Sequence, residues 1–153
     1  MSQRFEIKVT CSNYALAVRG KPYRVIAIDG EKTLFEFAEA ILDSFNFDID
    51  HSFGFYDNMK DIYRSQEGYE LFSDMGESSD FLGVKKTKIE AVYELKKKLL
   101  FFYDYGDSWH FITQCTAIQE TAKKEKTKVI KSVGEAPEQY PDWDEEDEYE
   151  EDE

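Results

Sequence analysis

The chain has 153 residues, enough for one ordinary domain that buries roughly two-thirds of the surface its unfolded form exposes. Hydrophobic residues make up 41% and aromatic ones 16% beside 34% charged, so Phe and Tyr must supply much of the core. The net charge of −14 is concentrated at one end: from Glu135 onward there are 12 acids and no Lys or Arg, leaving 21 of the 33 acids against all 19 bases, a net of −2, and such a polyanionic appendage makes nucleic acid an unexpected partner.

The N-terminal residues lead straight into polar/apolar alternation rather than a continuous apolar leader, and no run approaches the ~20 apolar residues that span a bilayer. A cytoplasmic protein without a membrane span is expected. Arg4 to Thr10 alternates strictly, with Phe5, Ile7 and Val9 on one face, which predicts a half-buried strand. After a turn at Gly20-Lys21-Pro22, the β-branched run Tyr23 to Ile28 predicts a second strand that stops at Asp29-Gly30. Thr33 with Glu36 forms a capping box, and Leu34, Phe37, Ala38, Ile41, Leu42 and Phe45 recur on one face of a helix over 33–45.

His51 to Tyr56 reads as a short aromatic strand, and residues 58–83 as a long irregular excursion. Thr87 with Glu90 is a second capping box, predicting a shorter helix over 88–96 that ends on Lys96-Lys97-Lys98, where positive charge suits a helix C-terminus. Leu99 to Tyr105 and Trp109 to Ile118 predict an antiparallel hairpin around Gly106-Asp107. Lys123 to Lys131 is basic and contains a last strand at Val129 and Ile130, before Pro137 and Pro141 lead into the tail. The expected fold is α+β: a mixed or antiparallel sheet, one long and one short helix on one face, and an aromatic hairpin. Residues 1–134 form the domain, followed by a disordered acidic tail over 135–153.

The hairpin carries the richest chemistry. Gly106 offers backbone freedom for a tight turn, and Asp104 and Asp107 suit turn positions whose carboxylates accept backbone amides. On the following strand Trp109, Phe111 and Thr113 share one face, while His110, Ile112 and Gln114 share the other. Two readings stand side by side: an aromatic hairpin closed by acidic turn residues, or a surface or ligand site built from Tyr103, Asp104, Tyr105, Asp107, Trp109, His110 and the distant His51. His51 follows Asp50, whose carboxylate would favour an imidazolium and suits acid–base work.

Tyr103-Asp104-Tyr105-Gly106-Asp107-Ser108-Trp109 resembles the Tyr-Asp-Phe-Gly-Asp-x-Trp signature of the plasmid pRiA ORF-three-like family. The family's other landmarks have counterparts in the same order: the strand Phe5 to Val9, Pro22-Tyr23-Arg24, the Thr33-Leu34 helix and His51 to Phe55. The resemblance covers most of residues 4–141 outside the central excursion, and it implies an α+β domain without implying an activity. The chain departs from the family pattern in placing His110 directly after Trp109 rather than two residues on. It also has Tyr23 where Trp is common and reduces a Pro-Pro-Glu-Asp-x-Gly-Gly element to Ala136-Pro137-Glu138-Gln139-Tyr140-Pro141.

Phosphate-cradling, dinucleotide, zinc-protease and nucleophile-elbow motifs are absent, so no cofactor or metal is expected. Cys11 and Cys115 lack any paired spacing and read as structural thiols of a reducing compartment. The tail lacks the Gly and ligand spacing of a calcium loop, but Trp143 and Tyr149 among its acids suit contact with a basic protein partner. The expectation is a non-enzymatic binding or adaptor module. Its alternatives are a mobile-element accessory factor touching DNA through the Lys-rich segments, and a hydrolase or nuclease-like enzyme using Asp104, Asp107 and a His.

Overall fold

A computed structural model describes residues 2–12, 21–76, 81–137 and 139. Among these residues seven strands form one sheet in the order β4-β3-β5-β6-β1-β2-β7: β1 Ser2–Ser12, β2 Tyr23–Asp29, β3 Phe53–Tyr56, β4 Gly68–Glu70, β5 Lys98–Tyr103, β6 Trp109–Thr121 and β7 Lys128–Val133. Every strand pairing is antiparallel, which resolves the mixed-or-antiparallel expectation. The long pair β1–β6 runs from Ser2 opposite Thr121 to Ser12 opposite His110, with one irregularity at Glu6–Ile7.

Helix α1, Leu34–Ser44, packs on one face of this sheet. Its predicted capping box forms, with Glu36 N donating to Thr33 Oγ1 at 3.2 Å and Thr33 N donating to Glu36 Oε1 at 3.1 Å. Such a cap contributes about 1 kcal/mol. The buried stripe Leu34, Phe37, Ala38, Ile41 and Leu42 meets the inward residues of β1, β2, β3, β5 and β6. Phe37 stacks on Phe55 at 5.9 Å between ring centroids, and Phe45 tilts against Phe111 at 5.2 Å. Aromatic rings thus carry the core, as the composition requires.

Three local expectations are corrected. The second helix is one turn, α3 Ile89–Val92, and its capping box does not form. Thr87 Oγ1 instead donates back to the Gly83 carbonyl at 2.6 Å, and Lys88 takes the cap position without a side-chain bond. Lys96 is no helix terminus: it turns through φ 74° and its amide donates to Cys115 O, starting the β5–β6 pairing. His51 and Ser52 lie outside β3, which begins at Phe53.

The 58–83 stretch is the largest correction. It holds a 3-10 turn at Ile62–Arg64, the edge strand β4 and the single turn α2 Leu71–Asp74. Part of it closes the sheet's second face, where Tyr56, Ile62, Leu100 and Phe102 form a smaller core with Met59, Phe81, Tyr105 and Ile112 around it. Its scattered Tyr and Phe hid this role, because a strand of three residues is too short to display a period. The turn expected at Gly20 and the tail from Pro141 lie outside the described residues. Among the described residues no helix is long and apolar enough to cross a membrane.

Candidate functional site

The site grows from the C-terminus of α1. Asn46 adopts φ 60°, and the amides of Asn46 and Phe47 donate to Asp43 O at 3.0 Å and Leu42 O at 2.8 Å. This is a Schellman closure with Asn in the left-handed position. It buries Phe47 edge-on against Trp109, 4.9 Å between centroids, and sends Asp48, Ile49 and Asp50 along the surface. The Arg24 guanidinium, which donates to Ser44 O, lies over the Phe45 ring at 4.5 Å and braces the same corner.

Tyr103 ties that segment to the hairpin. Its ring is buried and its hydroxyl accepts the amides of Asp50 at 2.8 Å and His51 at 3.2 Å, while its own proton lies between Asp48 O and Asp50 Oδ1. Burial is the main cause that pushes this phenol up to about 12, so it stays a neutral anchor. Gln139 adds a clasp: Asp48 N donates to its Oε1 at 2.6 Å, and its Nε2 donates to Asp48 O at 3.0 Å. Gln139 is buried although it lies beyond residue 134, in the Ala136 to Pro141 element.

The hairpin closes differently from expectation. The left-handed residues are Asp104 at φ 63° and Ser108 at φ 56°, and Gly106 is not one of them. Asp104 tolerates this conformation because its Oδ1 accepts Gly106 N at 3.1 Å and Asp107 N at 3.2 Å, an Asx-type turn. Its other oxygen, Oδ2, points at His51 Nε2 at 3.4 Å. Asp50 Oδ1 is 3.6 Å from the same nitrogen. The imidazole is about half exposed and sits between two carboxylates, one of them buried.

The seven sequence-predicted residues therefore separate. Tyr103, Asp104 and His51 come together on the α1 face, with Trp109 beside Phe47. Tyr105 and His110 lie on the opposite face around Phe102, at 4.9 and 5.1 Å between centroids. Asp107 is exposed at the tip. Asp104 thus meets His51 and not His110. Among the described residues no His, Cys, Asp and Glu group is placed to hold a metal ion.

Two clefts open beside this cluster and meet at Ile49, which is 43% exposed. One, of about 450 Å³, has Phe35, Phe53, Leu71 and Met75 as apolar walls and His51, Asp50 and Lys85 at its rim. The other, of about 510 Å³, runs along α1 between Glu39, Asp43 and Asp48, over Ala40, Leu42 and Phe47. The groove is apolar below and carboxylate-edged above. Sequence reading missed Glu39, Asp43, Asp48, Ile49 and Gln139. The signal available was the exposed acid row of the helix, continued by Asp48-Ile49-Asp50.

An antiparallel seven-stranded sheet with one long helix, and a hairpin whose turn Asp meets a distant His, define an α+β protein of a recognisable kind. The chain belongs to the plasmid pRiA4b ORF-3-like protein family, whose model matches residues 3–151. Its fold is similar to that in the crystal structure of the protein of unknown function MM3350 from Methanosarcina mazei Go1, at a TM-score of 0.68 and 18% identity, covering 86% of this chain and 70% of that one. No curated protein matches the sequence.

Proposed function

We propose that the protein is a non-enzymatic binding or adaptor module that takes a basic, partly apolar segment of a protein partner along the groove centred on Ile49. The observation that carries this reading is the continuity of the two clefts. Their floor offers Ile49 and Met75 to apolar side chains, while Glu39, Asp43, Asp48 and Asp50 edge it against Lys85, the one Lys or Arg among the described residues lining them. A few apolar anchors ringed by charge of one sign give affinity through burial, and speed and selectivity through the field.

Titration of the full chain with a synthetic amphipathic Leu/Lys peptide tests the proposal. Binding should weaken with salt and be lost when Glu39 and Asp43 are both changed to Lys. Equal binding by that double variant would mean that the tail, not the groove, attracts the peptide, and would overturn the reading.

A second reading has its own observation. Ser52 Oγ is buried without a hydrogen-bond partner among the described residues, beside a His51 held by Asp104. That arrangement would suit acid–base chemistry on a ligand in the 450 Å³ cleft. Hydrolysis of model ester or phosphodiester substrates, abolished by His51→Ala, would establish it. Activity that survives this substitution would dismiss it.

A further inference from the structure

The second face carries a groove of opposite character. Clefts of about 520 and 270 Å³ lie on either side of Met59 and Lys60, bordered by Arg64 and Lys98 in one and by Tyr63, Tyr105 and His110 in the other. Lys60 and Lys98 stand outside every ion pair among the described residues. The two carboxylates nearby are occupied locally: Asp57 accepts Gln66 N, and Asp61 accepts Tyr63 N while lying 3.4 Å from the Arg64 guanidinium. Tyr63 is 86% exposed, a large aromatic standing in water beside Arg64 and in the same cleft as Lys60.

We propose that this groove is the docking site of the chain's own acidic segment, residues 142–153, with Trp143 as its aromatic anchor. Complementarity is the first argument. The segment carries ten of the acids and both remaining aromatics, Trp143 and Tyr149, and the groove offers Lys60, Arg64 and Lys98 beside Tyr63 and Tyr105. An acidic peptide bearing a Trp gains both charge contact and burial or cation–π contact there.

Position is the second argument. Gln139 is clasped to Asp48 near the hairpin, whose turn separates Tyr103 on the first face from Tyr105 on the second. Four extended residues from Gln139 to Trp143 reach about 13 Å, more than the ~10 Å that separates two stacked sheets, so the chain is long enough to pass from one face of this sheet to the other. The remaining ten can follow the groove to Lys98. The first face is closed to the segment, because Glu39, Asp43, Asp48 and Asp50 repel it. Tethering raises the local concentration of the segment without any further contact.

The test reads the accessibility of Trp143 in the full chain by acrylamide quenching, with Trp143→Phe supplying the Trp109 background. At about 0.01 M ionic strength, where the screening length is ~30 Å, Trp143 should be shielded, and at about 1 M, where it is ~3 Å, it should become accessible. The double charge reversal Lys60→Glu with Lys98→Glu should expose Trp143 at both salts, whereas Lys60→Arg with Lys98→Arg should keep it shielded. Any one of three results overturns the proposal: free quenching at low salt, shielding that survives the reversal at Lys60 and Lys98, with Lys128→Glu and Lys131→Glu then testing β7 as the site instead, or shielding that grows with protein concentration and so comes from a second copy.

Discussion

His51 Nε2 and Asp104 Oδ2 lie 3.4 Å apart although 53 positions separate them in the chain. Two backbone links hold the contact: Asp104 N donates to Ser52 O at 3.0 Å, and the Tyr103 hydroxyl accepts His51 N. The hairpin turn and the segment after α1 therefore form one unit, in which the strain at Asp104 is stabilised by the bonds its own carboxylate makes.

Replacing Asp104 separates its conformational role from its charge. Asp104→Ala places Ala at φ 63° and leaves Gly106 N and Asp107 N without their acceptor, so it should destabilise the protein by about 2 kcal/mol. Asp104→Asn keeps an acceptor oxygen and tolerates the left-handed region, so its cost should stay under ~0.5 kcal/mol. Urea unfolding of the two variants checks the difference, and similar losses would contradict the turn described.

Asn46 shapes the acidic edge of the groove. Asn46→Val puts a β-branched residue at φ 60° and should cost about 1–2 kcal/mol, while Asn46→Gly should be neutral or slightly stabilising. The Val variant should also weaken Leu/Lys peptide binding, because Asp48, Ile49 and Asp50 follow directly from this turn.

The two capping boxes visible in the sequence should behave unequally. Thr33→Ala removes a working cap and should cost about 1 kcal/mol. Glu90→Ala should leave stability within ~0.5 kcal/mol, because Glu90 receives no capping partner from Thr87. Equal losses in thermal unfolding would restore the predicted second cap.

Alkaline pH should unfold the protein. Burial pushes Tyr103 from its ordinary 10.0 up to about 12, and Cys11 from 9.0 up to about 12, while Tyr56, Tyr69, Tyr93 and Tyr105 are raised in the same direction. Above pH 9 the unfolded chain releases protons that the folded chain retains, so stability, full below that pH, falls as pH rises toward 12. Denaturation midpoints between pH 8 and 11 check the slope, and Cys11→Ala should flatten its lower part.

How much was legible in the sequence differs from element to element. β1 and α1 were readable because their apolar residues repeat at periods of 2 and 3.6, with Thr33 and Glu36 capping locally, and β2 because its β-branched run stops at Asp29-Gly30. The hairpin was readable from its two aromatic runs, and the family from the Tyr103 to Trp109 motif. The second capping box misled because Gly83 O competes for the Thr87 hydroxyl, and no local pattern records that competitor. The 58–83 stretch was unreadable because its strand is three residues long and its aromatics pack against partners far along the chain, as Phe72 meets Tyr105.

The sequence by itself determined the acidic segment's charge, the aromatic core, the long helix and the opposed faces of Trp109 and His110. These follow from composition and from backbone periodicity, which act over a few residues. Only the tertiary structure decided that Asp104 meets His51 rather than His110, that Tyr105 turns away from Tyr103, and that two grooves of opposite charge lie on opposite faces. Those relations depend on antiparallel register between β3, β5 and β6 and on the closure after α1, which bring distant residues within hydrogen-bond range. A linear pattern carries no record of such through-space distances.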